Sequence, residues 1–375
     1  MSMYFTIAVI VLVFVVIFQI AKASEYVGIL KGEEKTRKQA NKINGFLMVA
    51  FLVLGLLGVY YCDVALRGKI LGESASVEGE KVDEMLYLTI AVTGIVFLIT
   101  QVLLFWFSYK YQEKENNKAF FFPHNNKLEV IWTVIPAIVL TVLVVIGLRN
   151  WFIFTGEAPK NALVVEVTGK QFGWIFRYPG KDQEFGKKYF RNIEEGTNSI
   201  GLIWEDNPQA NQKADPYAFD DIVMEQKVYI VKGRPVKFII GSRDVIHDVG
   251  LAHFRMKMDA VPGTPTTLWF TPKYTTEEMK EITGNSNFVY EISCDQMCGN
   301  GHYSMKGTIE VVTQEQFDTW MAGQKPYYFA AFPEKDPAAA APAGAPAAPA
   351  APAAGADTTA TASLKKSGGN QNKLK

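Results

Sequence analysis

Apolar and polar residues divide this chain into two regimes. In the first half, four apolar runs occupy residues 3–21, 43–61, 85–107 and 130–148, and none contains a charged side chain. Each has at least 19 residues, enough for a helix to span a hydrocarbon layer of about 30 Å. Backbone exposed to lipid must satisfy its own polar groups, so helix is the expected state. The pattern predicts four transmembrane helices, with Trp106 and Trp151 as interfacial aromatics at the ends of the third and fourth. From Ala162 onward the period changes to two. Residues 163–167, 228–231, 236–240, 288–292 and 308–312 read as short strands, punctuated by Gly233-Arg234-Pro235, Pro262-Gly263-Thr264-Pro265 and Gly299 to Gly301. The second half is therefore expected to be a small all-β sandwich or barrel.

The polar segments refine this plan. Residues 22–42 hold six Lys/Arg against three acids, residues 62–84 hold three against six, and residues 108–129 carry four lysines. Basic loops face the cytoplasm, which puts 62–84 and everything after the fourth helix outside. Residues 1–6 contain no basic residue, so the first run is expected to stay as a helix and not to be a cleaved leader. Residues 180–226 are polar, mixed in charge and weakly patterned, which suggests a long surface insertion. Its acids, including Asp215 and Asp221, suit either a solvated loop or a surface that meets a basic partner. Residues 337–356 contain only Ala, Pro and Gly, a composition that builds no core and predicts a disordered tail. The expected organisation is two extra N-terminal helices (1–84), a helix hairpin (85–157), an extracytoplasmic β-domain (158–333) and the tail (334–375).

Lys+Arg and Asp+Glu are equal at 38 each, so no global charge calls for nucleic acid. The chain has three cysteines (Cys62, Cys294 and Cys298) and four histidines (His124, His247, His253 and His302), too few cysteines for a disulfide framework. The chemistry concentrates in Cys294-Asp-Gln-Met-Cys298-Gly-Asn-Gly-His302-Tyr-Ser-Met305, with Cys-x3-Cys-x3-His-x2-Met spacing in a glycine-rich loop after a strand. Thiolate, thioether and imidazole form a soft ligand set suited to copper. A mononuclear blue-copper site takes two His, one Cys and a weak Met; the second Cys here is enough to bridge two coppers. His247, at the end of a strand, is the natural second imidazole, whereas His124 falls in a cytoplasmic loop. A tetrahedral zinc site and a Cys294–Cys298 disulfide remain alternatives on these residues alone. His253 reads as a packed or surface residue, and Cys62 as an apolar residue at a helix end.

At these positions the sequence resembles subunit II of cytochrome c oxidase, over about residues 85–332. The resemblance is carried in order by the helix hairpin with Leu128-Glu-Val-Ile-Trp-Thr-Val-Ile-Pro136, the aromatic stretch Gly169-Lys-Gln-Phe-Gly-Trp-Ile-Phe-Arg-Tyr178, and Ser242-Arg-Asp-Val-Ile-His247. Lys257-Met-Asp-Ala-Val-Pro-Gly263 and the Cys/His/Met loop follow. It implies a cupredoxin-like domain with a dinuclear CuA centre. Cys294 and Cys298 would be the bridging thiolates, His247 and His302 the terminal imidazoles, and Met305 a weak ligand of one copper. The backbone carbonyl of Gln296 would serve the other copper. Where the family usually has Glu, whose carboxylate also touches a magnesium shared with subunit I, this chain has Gln296, so the resemblance carries no magnesium ligand over. Phe172 stands where the family commonly has the tryptophan that receives the electron, and Trp174 matches a second tryptophan, so the resemblance puts both at the electron entry. Glu129 matches a glutamate at the mouth of a proton-uptake path; by itself an acid at a helix start also suits the dipole. The two helices before Met85 lie outside the resemblance.

The implied activity is cytochrome c oxidase, with this chain as its electron-accepting subunit in a bacterial inner membrane and its copper domain on the periplasmic side. The implied partners are a c-type cytochrome or similar haem donor, the lipid bilayer, and subunit I with the other oxidase subunits. Haem would sit in subunit I, where oxygen is reduced to water and protons are pumped. Two rival readings are a copper-free quinol-oxidase subunit and a membrane-tethered copper carrier or assembly protein.

Overall fold

A computed structural model describes residues 2–67, 72–114, 118, 120–208 and 211–337. The Ala/Pro-rich tail from 338 onward lies outside the described residues. Four helices come first: α1 (Ser2–Lys31), α2 (Glu33–Leu66), α3 (Val77–Lys110) and α4 (Asn126–Thr155). All four are long and apolar enough to cross a membrane. Each apolar run extends into its polar flanks, so the basic stretch 22–42 is helical except at Gly32, where φ is +84°. Its charged residues support that helix through exposed pairs such as Lys38–Glu34 and Lys22–Glu25.

Among the described residues the β-domain contains ten strands in two five-stranded sheets. They are β1 (Leu163–Lys170), β2 (Gly173–Tyr178), β3 (Ile222–Glu225), β4 (Lys227–Val231), β5 (Val236–Ser242), β6 (His247–Leu251), β7 (Met256–Ala260), β8 (Thr266–Phe270), β9 (Tyr290–Cys294) and β10 (Lys306–Val312). One sheet runs β3-β2-β1-β5-β8 and the other β4-β10-β9-β6-β7. The β1–β5 and β10–β4 pairs are parallel, the rest antiparallel. Val165, Val167, Trp174, Phe176, Phe238 and Ile240 of the first sheet meet Val228, Ile230, Val249, Ile292 and Ile309 of the second in one buried core. This is a cupredoxin-like sandwich. Two short helices cover its ends, α5 (Thr276–Thr283) and α6 (Gln314–Ala322), each opened by a Thr capping box.

Four contacts tie the third membrane helix to the β-domain. Residues 72–83 hold α3 to the sandwich: Ala75 N–H donates to the His253 carbonyl at 2.9 Å, and Val77 N–H to that of Thr271 at 3.0 Å. The buried Glu78 carboxylate accepts Thr271 N–H at 2.6 Å, while Asp83 pairs with Arg255 at 2.8 Å. The acids of this segment thus bind bases and amides of the β-domain, besides giving the segment its charge sign.

The 180–226 insertion is packed and not a loose loop. Ile200, Leu202, Ile203, Trp204 and Ala218 are buried. Asp215 and Asp221 turn inward, neither free to face a basic partner: Asp215 accepts Lys187 N–H at 2.6 Å, and Asp221 accepts from Arg177 Nη1 at 2.8 Å and Gly186 N–H at 3.1 Å. Arg177, itself buried, also pairs with Glu166 at 2.6 Å. Burial works against the Glu166 charge, but Arg177 and Lys188 outweigh it and hold the carboxyl below its usual range. A last helix, α7 (Tyr327–Ala331), secures the insertion through Tyr327, whose N–H donates to the Asp221 carbonyl at 2.7 Å. Residues 332–337 close the described chain with one tight turn, Pro333–Lys335.

Candidate metal centre

The donors meet at one end of the second sheet because β6 and β9 are neighbours there, with Val249 opposite Cys294. His247 opens β6, Cys294 ends β9, and Met305 immediately precedes β10. Cys298, His302 and Met305 lie on the connecting loop, whose turn at Gly299 has φ of +132°. Cys294, Cys298, His247 and Met305 are buried, and His302 is half-buried.

The geometry is paired. The two sulfurs lie 3.7 Å apart, well beyond the roughly 2.05 Å of a disulfide, and both are free thiols. Cys294 Sγ is 3.7 Å from His247 Nδ1 and 3.1 Å from the Gln296 carbonyl oxygen. Cys298 Sγ is 3.7 Å from His302 Nδ1 and 3.8 Å from Met305 Sδ. Each thiol therefore faces its own imidazole and its own weak donor. Among the described residues, His247, Cys294 and Cys298 are the one group of three His, Cys, Asp or Glu residues whose donor atoms all lie within 4.8 Å of one another. Burial, reinforced by the neighbouring Cys294, pushes the Cys298 thiol up to about 11, so without a metal it stays protonated. A soft metal supplies the compensating charge for thiolates here.

A set of supports surrounds the donors. Asp244 Oδ1 lies 2.7 Å from His247 Nε2. Gln171 donates its backbone N–H to Asp244 Oδ2 at 2.7 Å and its side-chain amide to the Cys298 carbonyl at 2.6 Å. Phe172, partly exposed, lies over the glycines of the ligand loop: a Cβ added to Gly301 would meet its ring at 2.5 Å. Trp174 is fully buried, its ring edge-on to His247 at 6.1 Å. Glu129 lies in the first turn of α4 behind the Asn125 cap, and His124 is exposed in the α3–α4 connection. His253 packs edge-on against Phe288 and Tyr290, at 4.9 and 5.8 Å. Cys62 is exposed on α2. Sequence reasoning passed over Gln171 and Asp244, and also the exposed apolar residues on the same loops, Val245, Ile246, Met297 and Tyr303. Asp244 was legible in principle, three residues before a candidate histidine ligand.

A membrane-anchored cupredoxin-like protein with a soft, copper-type donor cluster in its extramembrane domain is the class that this fold and site define. Residues 64–149 match the family described as cytochrome c oxidase subunit II, transmembrane domain, and residues 163–312 match cytochrome c oxidase subunit II, periplasmic domain. The chain is 30% identical over 247 residues to an alternative cytochrome c oxidase subunit 2 of Bradyrhizobium diazoefficiens, covering 66% of this chain and 81% of the relative. It is 26% identical over 239 residues to cytochrome c oxidase subunit 2 of Cereibacter sphaeroides, covering 63% and 73%. A solved periplasmic domain of subunit II of cytochrome oxidase from Bradyrhizobium japonicum aligns at 22% identity and a TM-score of 0.28, covering 44% of this chain and 95% of that one. The chain belongs to the cytochrome c oxidase subunit II family. It is a component of a cytochrome c oxidase complex and carries a copper site.

Proposed function

We propose that His247, Cys294, Cys298, His302 and Met305, with the Gln296 carbonyl, hold a dinuclear CuA centre through which the oxidase takes up electrons from a c-type cytochrome. The observation that carries this reading is the paired arrangement of the donors, one imidazole and one weak ligand for each of two thiols 3.7 Å apart. Held by Cys294, Cys298, His247, His302 and Met305, such a centre would supply a one-electron carrier with its charge spread over both metals. The protein's own residues supply rigidity. Asp244 fixes the His247 ring, Gln171 ties the Asp244 arm to the Cys298 loop, and Phe172 holds the glycines in place. A complete donor set argues against a copper-free quinol-oxidase subunit.

The exposed Phe172, Val245, Ile246, Met297 and Tyr303 give the site an apolar rim suited to a haem-edge donor that docks and leaves. Phe172 is the proposed point of electron arrival. Trp174 backs His247 from the core and positions it. Onward transfer goes to haem in a separate subunit I, where oxygen is reduced to water with proton pumping and Glu129 stands at the mouth of a proton path. The β-domain lies on the periplasmic side of a bacterial inner membrane, as the linker charges favour. The division into 1–84, 85–157, 158–333 and 334–375 belongs to the same reading, with the bilayer around the first two parts. The test is rapid-mixing reduction of the purified oxidase by reduced c-type cytochrome. Phe172→Ala should slow electron uptake while leaving the copper content unchanged; an unaltered rate rules Phe172 out as the receiving residue.

A further inference from the structure

Strands β1 and β5 run side by side in parallel, and their last registered pair is Gly169 with Ser242. The next residues along are Lys170 and Arg243, so two cations stand beside each other at adjacent strand ends. Gly169 lies against the His247 ring, where a Cβ would meet Cδ2 at 2.7 Å. Side chains alternate between the two faces of a strand, so Lys170 points to the opposite face, toward the 180–226 insertion. Like charges paired across strands repel. Here both are largely out of water, with the Lys170 and Arg243 side chains 15% and 14% exposed.

Glu195, on the insertion, compensates both. Its carboxylate pairs with Arg243 and lies 3.7 Å from Lys170 Nζ. Arg243 Nη1 also donates to the Ser199 carbonyl at 2.7 Å, so one guanidinium grips the same turn at two points. The turn is fixed independently of that grip. Glu194 and Asn198 exchange backbone hydrogen bonds at 3.1 and 2.9 Å, and Asn198 bonds Leu202 through both ends of its side-chain amide. Ser199 N–H donates to the Tyr327 hydroxyl at 2.9 Å. Hydrogen bonding from Arg243 holds the Glu195 carboxyl below its usual range. An isolated surface ion pair contributes little, but one carboxylate between two sheltered cations is a network.

The clamp stands one residue from the supports of the copper donors. Lys170 precedes Gln171, and Arg243 precedes Asp244. Gln171 N–H donates to Asp244 at 2.7 Å, and Asp244 meets His247 Nε2 at 2.7 Å. Arg243 N–H also donates to the carbonyl of Gly169, the residue that makes room for the His247 ring, at 3.1 Å. We propose that Glu195 is a positioning residue for the copper site: by drawing Arg243 and Lys170 together, it fixes segments 169–171 and 242–244 relative to each other and so orients His247 through Asp244. The insertion thereby takes part in the centre without touching a donor atom. This inference rests on the reading of His247 as a copper ligand.

The test compares the copper-loaded full chain, purified in detergent, with variants that remove one charge. It reads the histidine-nitrogen hyperfine coupling by electron–nuclear double resonance, and copper release to a chelator. Glu195→Gln, at a side chain 65% exposed, should change the His247 coupling and speed copper release by about tenfold. Arg243→Gln should do the same, and the double variant should add nothing further, as expected of partners in one contact. Glu225→Gln takes a like charge from Lys170, which Glu225 meets at 3.2 Å, but leaves the grip on Arg243 intact; it should match the parent in both readouts. Equal effects of Glu195→Gln and Glu225→Gln would assign the change to charge alone and overturn the proposal. An unaltered coupling and release rate in Glu195→Gln would overturn it as well. A parent chain without any coupling that disappears in His247→Ala would overturn the reading of the site itself, and the proposal with it.

Discussion

Asp244 Oδ1 lies 2.7 Å from His247 Nε2. A carboxylate only accepts, so that nitrogen carries the proton and Nδ1 turns its lone pair toward Cys294. Asp244 thereby selects the tautomer that a metal on the sulfur side requires. Asp244→Ala is predicted to weaken copper binding by about 10–100-fold, measured by chelator competition, with the far-ultraviolet circular dichroism unchanged. Unaltered copper affinity would contradict this role.

Phe172 and Gly301 are in contact tight enough to exclude a methyl group, since a Cβ on Gly301 would approach the ring to 2.5 Å. Gly301→Ala should therefore displace the ligand loop, at the roughly 1–3 kcal/mol typical of overpacking, and lower copper affinity accordingly. Adding Phe172→Ala should restore most of the loss. Additive effects of the two substitutions would show that the contact does not hold the loop.

Arg177 is the sole guanidinium between two inward-facing acids, Glu166 at 2.6 Å and Asp221 at 2.8 Å. Arg177→Ala leaves both carboxylates without it in a buried setting, which should cost about 3–5 kcal/mol. Urea unfolding of the β-domain within the full chain, followed by tryptophan fluorescence, checks the value. A loss below about 1 kcal/mol would mean that the insertion is held by its apolar contacts alone.

His253 gives the β-domain a pH dependence separate from the metal donors. Burial first, and then the neighbouring Arg255, lower its pKa below the ordinary histidine value of 6.5. The unfolded chain therefore binds this proton more readily than the folded one. The contribution to stability is complete above pH 6.5 and declines as the pH falls through that value toward the lower folded-state pKa. His253→Phe should flatten the stability profile between about pH 5 and 7, and an identical slope in the variant would assign the dependence elsewhere.

The membrane helices were legible as long charge-free apolar runs, and five of the ten described strands from their period of two. In β1, β4, β5 and β10 one face meets the core and the other meets solvent or polar cover, giving visible alternation. Strand β2 is buried at every position, because its inner face meets the core and its outer face meets the insertion, which removes the signal. Strand β6 is also buried at every position, with His247 on one face and Asp248 on the other. The donors themselves were legible from residue type and spacing. Their supports were not, since Gln171 reaches Cys298 across 127 positions, a pairing that only the strand arrangement creates.

The most direct test of the central claim is copper analysis with EPR on the full chain, purified in detergent and loaded with copper. The account predicts two coppers per chain and a hyperfine pattern from one electron shared equally by two copper nuclei, both lost in Cys298→Ser. A single copper with a mononuclear spectrum, or preferential retention of zinc by the parent chain, would contradict it.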